Sequence, residues 1–399
     1  MVHRVRRHHK ILSHAGRFLW PFMFTLVFYS IGASADEPIF SRFIDLLTGS
    51  PLLVGILAAI AWITFTVLAE PAGSIIDKIG VKRAILLGGA LDMIGFLVIY
   101  LTTSVYALAI SLIISGAGAA FFWTASRTHT ANFYRKKTGK GFGNYVASWG
   151  FGWAVGPLIG GALAFFFNIK TPFLFSAIIL AISVLIFWRI IPDDKKNKHV
   201  GKTLAYELRG GFLRDGLLFM KTSNWNVKKI FLLQMLQYMV LETILIFAPL
   251  YFFQLNNAEI GIIFFVQSIV FAISSMFWGR LSDTASKPIF ITTGFLITAG
   301  ISLVLINLSA FWPILILASI FGLAAALIEP ITDAMLNDSV NKTTRGVANG
   351  FSQAAYGVGG GIGPLIGGAV AAVFGLQSVF VLAGLLCIFG VGLGLSMRK

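Results

Sequence analysis

The heptapeptide GPLIGGA occurs twice in this chain, as Gly156–Ala162 and again as Gly363–Ala369, the same seven residues 207 positions apart. Further identical pairs follow at a spacing of 207 or 206: Gly139 with Gly346, Gly143 with Gly350, Gly55 with Gly261, Gly73 with Gly279, and Asp77 with Asp283. A change of one residue in the spacing is an ordinary insertion between two copies of one unit. The chain is therefore predicted to contain two homologous halves in the same orientation.

The composition predicts that both halves lie in a membrane. Of the 399 residues, 57% are hydrophobic and 12% are charged, whereas a soluble domain carries about 25% charged residues. Apolar runs long enough to cross a hydrocarbon core recur from end to end. We predict an all-α polytopic membrane protein with twelve transmembrane helices, six in each pseudo-symmetric half. Spans 1 to 12 are placed at 17–46, 51–76, 83–103, 105–131, 143–167, 171–191, 228–254, 258–279, 287–307, 312–337, 347–373 and 376–396.

Basic residues fall almost entirely on one side of these spans, called here the basic side. Of the 31 Lys and Arg residues, Arg42 and Lys170 alone lie on the opposite side. Positively charged loops stay in the cytoplasm, so we predict a multi-pass protein of the cell inner (plasma) membrane with both ends cytoplasmic. This distribution also accounts for the net charge of +15 without nucleic acid. The predicted divisions are a basic tail at 1–16, a bundle at 17–191, a linker with an amphipathic segment at 192–227, and a bundle at 228–396.

The loop between spans 2 and 3 reads GSIIDKIGVKR over residues 73–83. It resembles the signature loop of the major facilitator superfamily, G-x-x-x-D-x-x-G-x-[KR]-[KR]. We expect Gly73 to let span 2 approach a neighbour closely, Gly80 to form a tight turn, and Asp77 to pair with a basic group or a helix N-terminus. The predicted conformational-switch loop, with its partial copy in the second half, comprises Gly73, Asp77, Lys78, Gly80, Lys82, Arg83, Gly279 and Asp283.

A second pattern, G-x-x-x-G-P-x-x-G-G, covers 152–161 in span 5 and 359–368 in span 11. It resembles a signature found mainly in the drug-antiporter branches of the same superfamily, and this resemblance implies export. Small residues permit close packing and proline bends a helix, so we predict a packing seam between the halves. Its residues are Gly152, Gly156, Pro157, Gly160, Gly161, Gly359, Gly363, Pro364, Gly367 and Gly368. One position departs from the antiporter pattern, because Leu112 stands where relatives usually carry an arginine tied to proton handling.

Acidic residues within the spans are the main candidates for a site. A carboxylate at the bilayer centre costs about 2.5–3.5 kcal/mol on insertion scales, so such residues are rare and usually functional. Glu242 lies near the middle of span 7, and Glu329 lies in span 10 with Asp333 one turn further along the same face. The spacing of 206 pairs Asp36 with Glu242, so span 1 is extended to residue 46 with Asp36 and Glu37 in its outer half. Weaker candidates are Glu70 and Asp92.

The resemblance implies that spans 1, 4, 7 and 10 line a central cavity, and three of these carry acids. No Lys or Arg lies at mid-membrane to pair with them, and burial without a counter-charge favours a protonated carboxyl group. This suits proton or cation coupling, or a cationic substrate; the structural alternative is that each acid belongs to a local polar pair or a wetted vestibule. Further candidates are Trp123 in span 4, Gln237 and Tyr238 in span 7, Gln353 and Tyr356 in span 11, and Arg127 as a gate partner for Asp333.

Together these features predict a secondary active transporter that works by alternating access. The leading hypothesis is a proton-coupled exporter of small amphipathic or cationic compounds. The alternatives are a nutrient-importing symporter and a non-transporting membrane sensor on the same scaffold. No nucleotide-binding loop, catalytic pair or Cys/His cluster occurs, so we expect no enzyme activity, no cofactor and no metal. Expected partners are a small-molecule substrate, protons or alternatively sodium, and the lipid bilayer, with no nucleic acid; the expected state is a monomer.

Overall fold

A computed structural model of the protein describes residues 20–133, 138–193, 219–281, 286–341 and 345–397. All regular secondary structure in these ranges is helical. Eleven helices of the described part are long and apolar enough to cross a membrane, which confirms an all-α polytopic architecture. The predicted basic tail, and the amphipathic segment of the linker up to residue 218, lie outside the described residues.

The helices follow the predicted order of spans. In the N-terminal half they are 20–34 and Glu37–Thr48 (span 1), Pro51–Ile79 (2), Val81–Leu101 (3), Val105–Phe133 (4), Thr138–Phe166 (5) and Thr171–Ile190 (6). In the C-terminal half they are Trp225–Tyr251 (7), Asn257–Leu281 (8), Lys287–Leu305 (9), Phe311–Ala326 and Glu329–Ser339 (10), Arg345–Phe374 (11) and Gln377–Leu395 (12).

Spans 1 and 10 are each broken into two helical segments, so the single helices predicted at 17–46 and 312–337 are wrong. Residues 35–36 and 327–328 form turns, and the second segment then begins with a glutamate followed by a proline. Proline lacks an N–H and clashes with the carbonyl of the preceding turn, but it fits the first turn of a new helix. The breaks therefore place Glu37 and Glu329 at helix N-termini, where the helix dipole favours a negative charge.

The loop between spans 2 and 3 confirms one of its three expected roles. Gly80 has a φ of 92°, a backbone conformation that favours glycine, so it does form the tight turn. A Cβ added to Gly73 would meet no atom within 4 Å, so the close helix approach predicted there is wrong. Asp77 is exposed and has no hydrogen bond or salt bridge with a described residue, so its predicted pairing stays a prediction. Asp283 lies outside the described residues, and Gly279 lies near the end of span 8.

The two halves meet through a contact that the repeat forms twice. Span 2 packs against span 11, and span 5 packs against span 8. A Cβ on Gly55 would lie 3.0 Å from the Cα of Gly368, and a Cβ on Gly261 would lie 3.0 Å from the Cα of Gly161. The repeat spacing maps Gly55 onto Gly261 and Gly161 onto Gly368, so equivalent residues make both contacts. These contacts lie toward the ends of the spans on the side opposite the basic side.

Six of the eight glycines in the predicted seam pack inside their own half, which corrects the prediction that these glycines face the other half. A Cβ on Gly156 would lie 2.7 Å from the carbonyl oxygen of Ile31 in span 1, and a Cβ on Gly363 would lie 2.8 Å from the Cα of Met239 in span 7. Close contacts with span 1 or span 7 are shared by Gly152, Gly156, Gly160, Gly359, Gly363 and Gly367. Of the predicted seam glycines, Gly161 and Gly368 are the two whose added Cβ would meet the other half.

Candidate functional site

The predicted acids lie along the junction between the halves. Asp36 and Glu37 are at the break in span 1, Glu329 and Asp333 begin the second segment of span 10, and Glu242 lies on the unbroken span 7. None of these five carboxyl groups forms a salt bridge with a described residue. Four of them, all except Asp36, accept hydrogen bonds from neutral donors instead.

Glu37 is held within the N-terminal half by an indole. Nε1 of Trp153 in span 5 donates to Oε1 of Glu37 at 2.5 Å. The Trp153 ring packs against Trp149 and Trp123, with ring centroids 6.1 Å and 5.8 Å away. Trp123 also lies edge-on to Tyr29 at 5.8 Å. The predicted site residue Trp123 thus belongs to an aromatic cluster behind Glu37.

Glu242 is held by an indole from the other half. Nε1 of Trp62 in span 2 donates to Oε2 of Glu242 at 3.3 Å. The carboxyl group of Glu242 also interacts electrostatically with that of Glu37. The two acids therefore face one junction from opposite halves.

Glu329 and Asp333 accept hydrogen bonds from two tyrosines of the C-terminal half, the candidate site residues Tyr238 and Tyr356. The Tyr238 hydroxyl donates to Oε1 of Glu329 at 3.3 Å, and the Tyr356 hydroxyl donates to Oδ1 of Asp333 at 2.8 Å. The two phenol rings have centroids 4.5 Å apart. Gln234 adds a second donor to Oδ1 of Asp333, at 2.9 Å. The Trp62 ring lies edge-on to the Tyr238 ring, with centroids 6.1 Å apart. The Glu242 contact of Trp62 and the tyrosine network are therefore neighbours along the junction.

The predicted gate pair between Arg127 and Asp333 is not closed in this structure. Arg127 is exposed and acts on Asp333 electrostatically, but the two form no salt bridge. The two residues come from spans 4 and 10, in opposite halves.

Asp92 fits the structural alternative of a local polar pair. Its side chain is 3% exposed, and it accepts hydrogen bonds of 2.5 Å from the Tyr29 hydroxyl and from the Ser115 hydroxyl. Both donors belong to the N-terminal half. Asp36 has no side-chain hydrogen bond in the described part of the chain, but it interacts electrostatically with Asp92. The side chain of Glu70 lies outside the described part.

Two predicted residues have no polar partner at this junction. Gln237 is 4% exposed, and both of its side-chain polar atoms are buried without a hydrogen bond. Gln353 is half-buried and has no side-chain hydrogen bond within the described ranges. Sequence reasoning missed Trp62 and Trp153, because an indole in an apolar run looks the same whether it faces lipid or a carboxylate.

The two basic residues on the opposite side both bind backbone carbonyls. Arg42 of span 1 donates to the carbonyl oxygens of Pro249 (2.7 Å) and Phe252 (2.8 Å), and to Oδ1 of Asn257 (2.8 Å). These acceptors lie at the end of span 7 and the start of span 8, so the guanidinium joins the halves. Lys170 donates to the carbonyl oxygen of Thr102 at 2.8 Å, within the N-terminal half. Carbonyls at helix C-termini lack partners inside the helix, which makes them good acceptors for cations.

Two six-span halves with acids at their junction define a multi-pass membrane transporter built from a parallel repeat. The sequence profile of the Major Facilitator Superfamily matches residues 18–254 and 230–398, and the chain belongs to this superfamily.

Similar proteins extend over nearly the whole chain. Multidrug resistance protein 2 of Bacillus subtilis is 24% identical over 371 residues, which cover 92% of each chain. An uncharacterized MFS-type transporter of Methanocaldococcus jannaschii is 23% identical over 365 residues, or 91% of this chain and 92% of the relative. Among solved structures, a mutant of the nucleoside transporter NupG superposes with a TM-score of 0.80 at 14% identity, covering 96% of this chain and 100% of that one. This last likeness concerns the fold alone.

Proposed function

We propose that the protein is a proton-coupled exporter of small cationic amphipathic compounds in the cell inner membrane, with both ends in the cytoplasm. The row of carboxyl groups without a described counter-charge carries this proposal. A proton or a cationic substrate supplies the positive charge that the junction lacks. Because both ligands need the same carboxylates, binding of one displaces the other, which is the physical basis of exchange.

Aromatic rings beside the acids support an amphipathic substrate. The indoles of Trp62 and Trp153 adjoin Glu242 and Glu37, and the Tyr238 ring adjoins Glu329. Aromatic faces attract cations and also bury apolar surface. The name of the Bacillus subtilis relative, multidrug resistance protein 2, supports the same class of substrate.

The contacts between the halves support a conformation closed on the opposite side and open toward the basic side. The Arg42 hydrogen bonds and the glycine contact of Gly55 with Gly368 join the halves on the opposite side. On the basic side, Arg127 forms no salt bridge with Asp333. Alternating access then consists of releasing the Arg42 contacts while Arg127 approaches Asp333.

Proton movement in proteoliposomes tests this function. The vesicles hold a lumenal pH dye and an acidic interior, and tetraphenylphosphonium or the neutral triphenylphosphine oxide is added outside. We expect the cation to drive proton efflux from vesicles with the wild-type protein, and Glu242→Gln, Glu329→Gln and Asp36→Asn to abolish it. Asp193→Asn is the matched control, because Asp193 is an exposed acid that pairs with Lys82 outside the junction.

Each other outcome overturns part of the proposal. Cation uptake without proton movement would replace proton coupling by sodium coupling or uniport. Uptake of the neutral compound alone would remove the cationic substrate class. Retained exchange in all three acid variants would show that the junction acids do not carry the coupling.

A further inference from the structure

The indole of Trp62, in the N-terminal half, packs against glycines of span 11 in the C-terminal half. A Cβ added to Gly360 of span 11 would lie 2.8 Å from Cδ2 and 3.0 Å from Cε2 of the Trp62 indole. One turn away, a Cβ added to Gly357 would collide with the hydroxyl of Thr66, which itself donates to the Trp62 carbonyl oxygen at 2.8 Å. The indole therefore sits directly on the backbone of span 11 and is fixed in place there.

The polar edge of the same indole reaches span 7. Its Nε1 donates to Glu242, and among the described residues Trp62 is the N-terminal-half side chain that hydrogen-bonds an acid of the C-terminal half. The ring edge also meets Tyr238, whose hydroxyl binds Glu329. Any change in the charge of Glu242 thus acts directly on a contact between the halves.

The chain contains a second indole–carboxylate bond that does not join the halves. Trp153 of span 5 donates to Glu37 of span 1 at 2.5 Å, entirely within the N-terminal half. Both bonds use the same donor and acceptor types. They differ in whether breaking the bond frees one half from the other.

A hydrogen bond to an ionised acceptor is about twice as strong as one between neutral groups. The titratable groups that interact electrostatically with Glu242 are Glu37 from span 1 and Tyr238 from its own span. No described basic residue forms a salt bridge with Glu242. Its negative charge is therefore neutralised only when a proton or a cationic substrate binds. The Trp62 bond is strongest when Glu242 is ionised and empty, and either ligand weakens it.

We propose that Trp62 is a positioning residue that locks the empty carrier by holding ionised Glu242 across the junction. This inference rests on the proposed function, in which Glu242 exchanges a proton for a cationic substrate. Loading Glu242 with either one loosens the contact of span 2 with span 7 and permits the halves to move. An empty carrier stays locked, and an exchanger needs this property because an empty carrier that switches freely leaks.

The lock is testable without any substrate. Spin labels replace Leu46 of the N-terminal half and Phe253 of the C-terminal half, which are 72% and 82% exposed. Both residues lie on the side of the membrane opposite the basic side. The labels are placed in a Cys387→Ser background, which removes the one cysteine. Lowering the pH from about 8 to about 5 should raise the ratio of separated to joined halves by about fivefold in the wild type. Trp62→Phe keeps an aromatic ring but lacks the donor, so its ratio should already be high at the upper pH and change little. Trp153→Phe removes the indole–carboxylate bond that stays within one half, so its separated-to-joined ratio should keep the wild-type pH response.

Flux measurements test the consequence for transport. With tetraphenylphosphonium as the substrate, part of its efflux can occur without protons moving in the other direction. Trp62→Phe should raise the ratio of this uncoupled efflux to coupled exchange by about fivefold. The inference is overturned if Trp62→Phe keeps the wild-type pH response and coupling, or if Trp153→Phe loses the pH response to the same extent as Trp62→Phe. Glu242→Gln guards against misfolding of the Trp62 variant, since its neutral amide should give the separated state at both pH values. If no variant transports the cation, but Trp62→Phe and Glu242→Gln lose the pH response while Trp153→Phe keeps it, the substrate proposal fails and the lock stands.

Discussion

Replacing Arg42 should shift the protein toward the conformation that opens on the opposite side. Arg42 makes three hydrogen bonds of 2.7 to 2.8 Å to the end of span 7 and the start of span 8. They join the two halves, so they are present in this conformation and must break when the opposite side opens. Arg42→Gln removes the charge and most of the donors, and it therefore destabilises one conformation and not the other.

The magnitude follows from the bonds that are lost. Hydrogen bonds to charged groups contribute about 1.5–3 kcal/mol each when buried, and about 0.5–1.5 kcal/mol is typical of neutral ones. Arg42 is half-buried, and water replaces part of each bond once the halves separate, so the lower range applies. A total of ~2 kcal/mol for the three bonds corresponds to an increase of about 30-fold in the ratio of separated to joined halves.

Distance measurements between spin labels provide the assay. Labels at Leu52, at the start of span 2, and at Phe374, at the end of span 11, are exposed and report on the opposite side away from Arg42 itself. Lys170→Gln is the matched control, because Lys170 also binds a carbonyl on that side but stays within one half. A distance distribution in Arg42→Gln that is unchanged, or that shifts no more than in Lys170→Gln, would refute the reasoning.

Two further predictions concern packing and buried polarity. Gly368→Val should lower transport at least about tenfold with normal expression, because its side chain would overpack the contact with Gly55 at a cost of about 1–3 kcal/mol. Gly73→Ala, at a glycine with no atom within 4 Å of an added Cβ, should transport within about twofold of the wild type in the same uptake assay. Asp92→Leu leaves two buried hydroxyls without their acceptor, each costing about 1–3 kcal/mol, so thermal unfolding in detergent should occur at a clearly lower temperature. Asp338→Asn, at an exposed acid paired with Lys287, should leave that temperature nearly unchanged, and equal shifts in both variants would contradict the role given to Asp92.

The twelve spans and the two halves could be predicted because membrane crossing depends on length and hydrophobicity, and these are written in the sequence. The breaks in spans 1 and 10 were missed, although both Glu-Pro pairs mark them. A proline inside a membrane span signals either a bend or a restart, and neighbouring helices decide between the two. Pro157 and Pro364 lie within helices that continue, whereas Pro38 and Pro330 start new ones.

The acids of the junction could be proposed from depth, charge and the repeat spacing, but their partners could not. Which indole reaches Glu242 depends on how span 2 crosses span 7, and a pattern of apolar residues does not fix that crossing. The glycines of spans 5 and 11 show the same limit. Small residues indicate that a helix comes close to a neighbour, without saying which one, so contacts with spans 1 and 7 were assigned to the wrong interface.

The break in span 1 has a consequence for the assembly of the protein in the membrane. Its segments, 20–34 and Glu37–Thr48, are each shorter than the roughly 20 apolar residues that cross a bilayer, and two acids sit where they join. Span 1, which is synthesised before spans 2 to 12, gains little from entering lipid alone. Trp153 and the glycines that receive span 1 belong to span 5, which is synthesised more than a hundred residues later. We therefore expect the first span to take its final place only after the fifth has been inserted, so that biogenesis of this half is a cooperative event and not a helix-by-helix one.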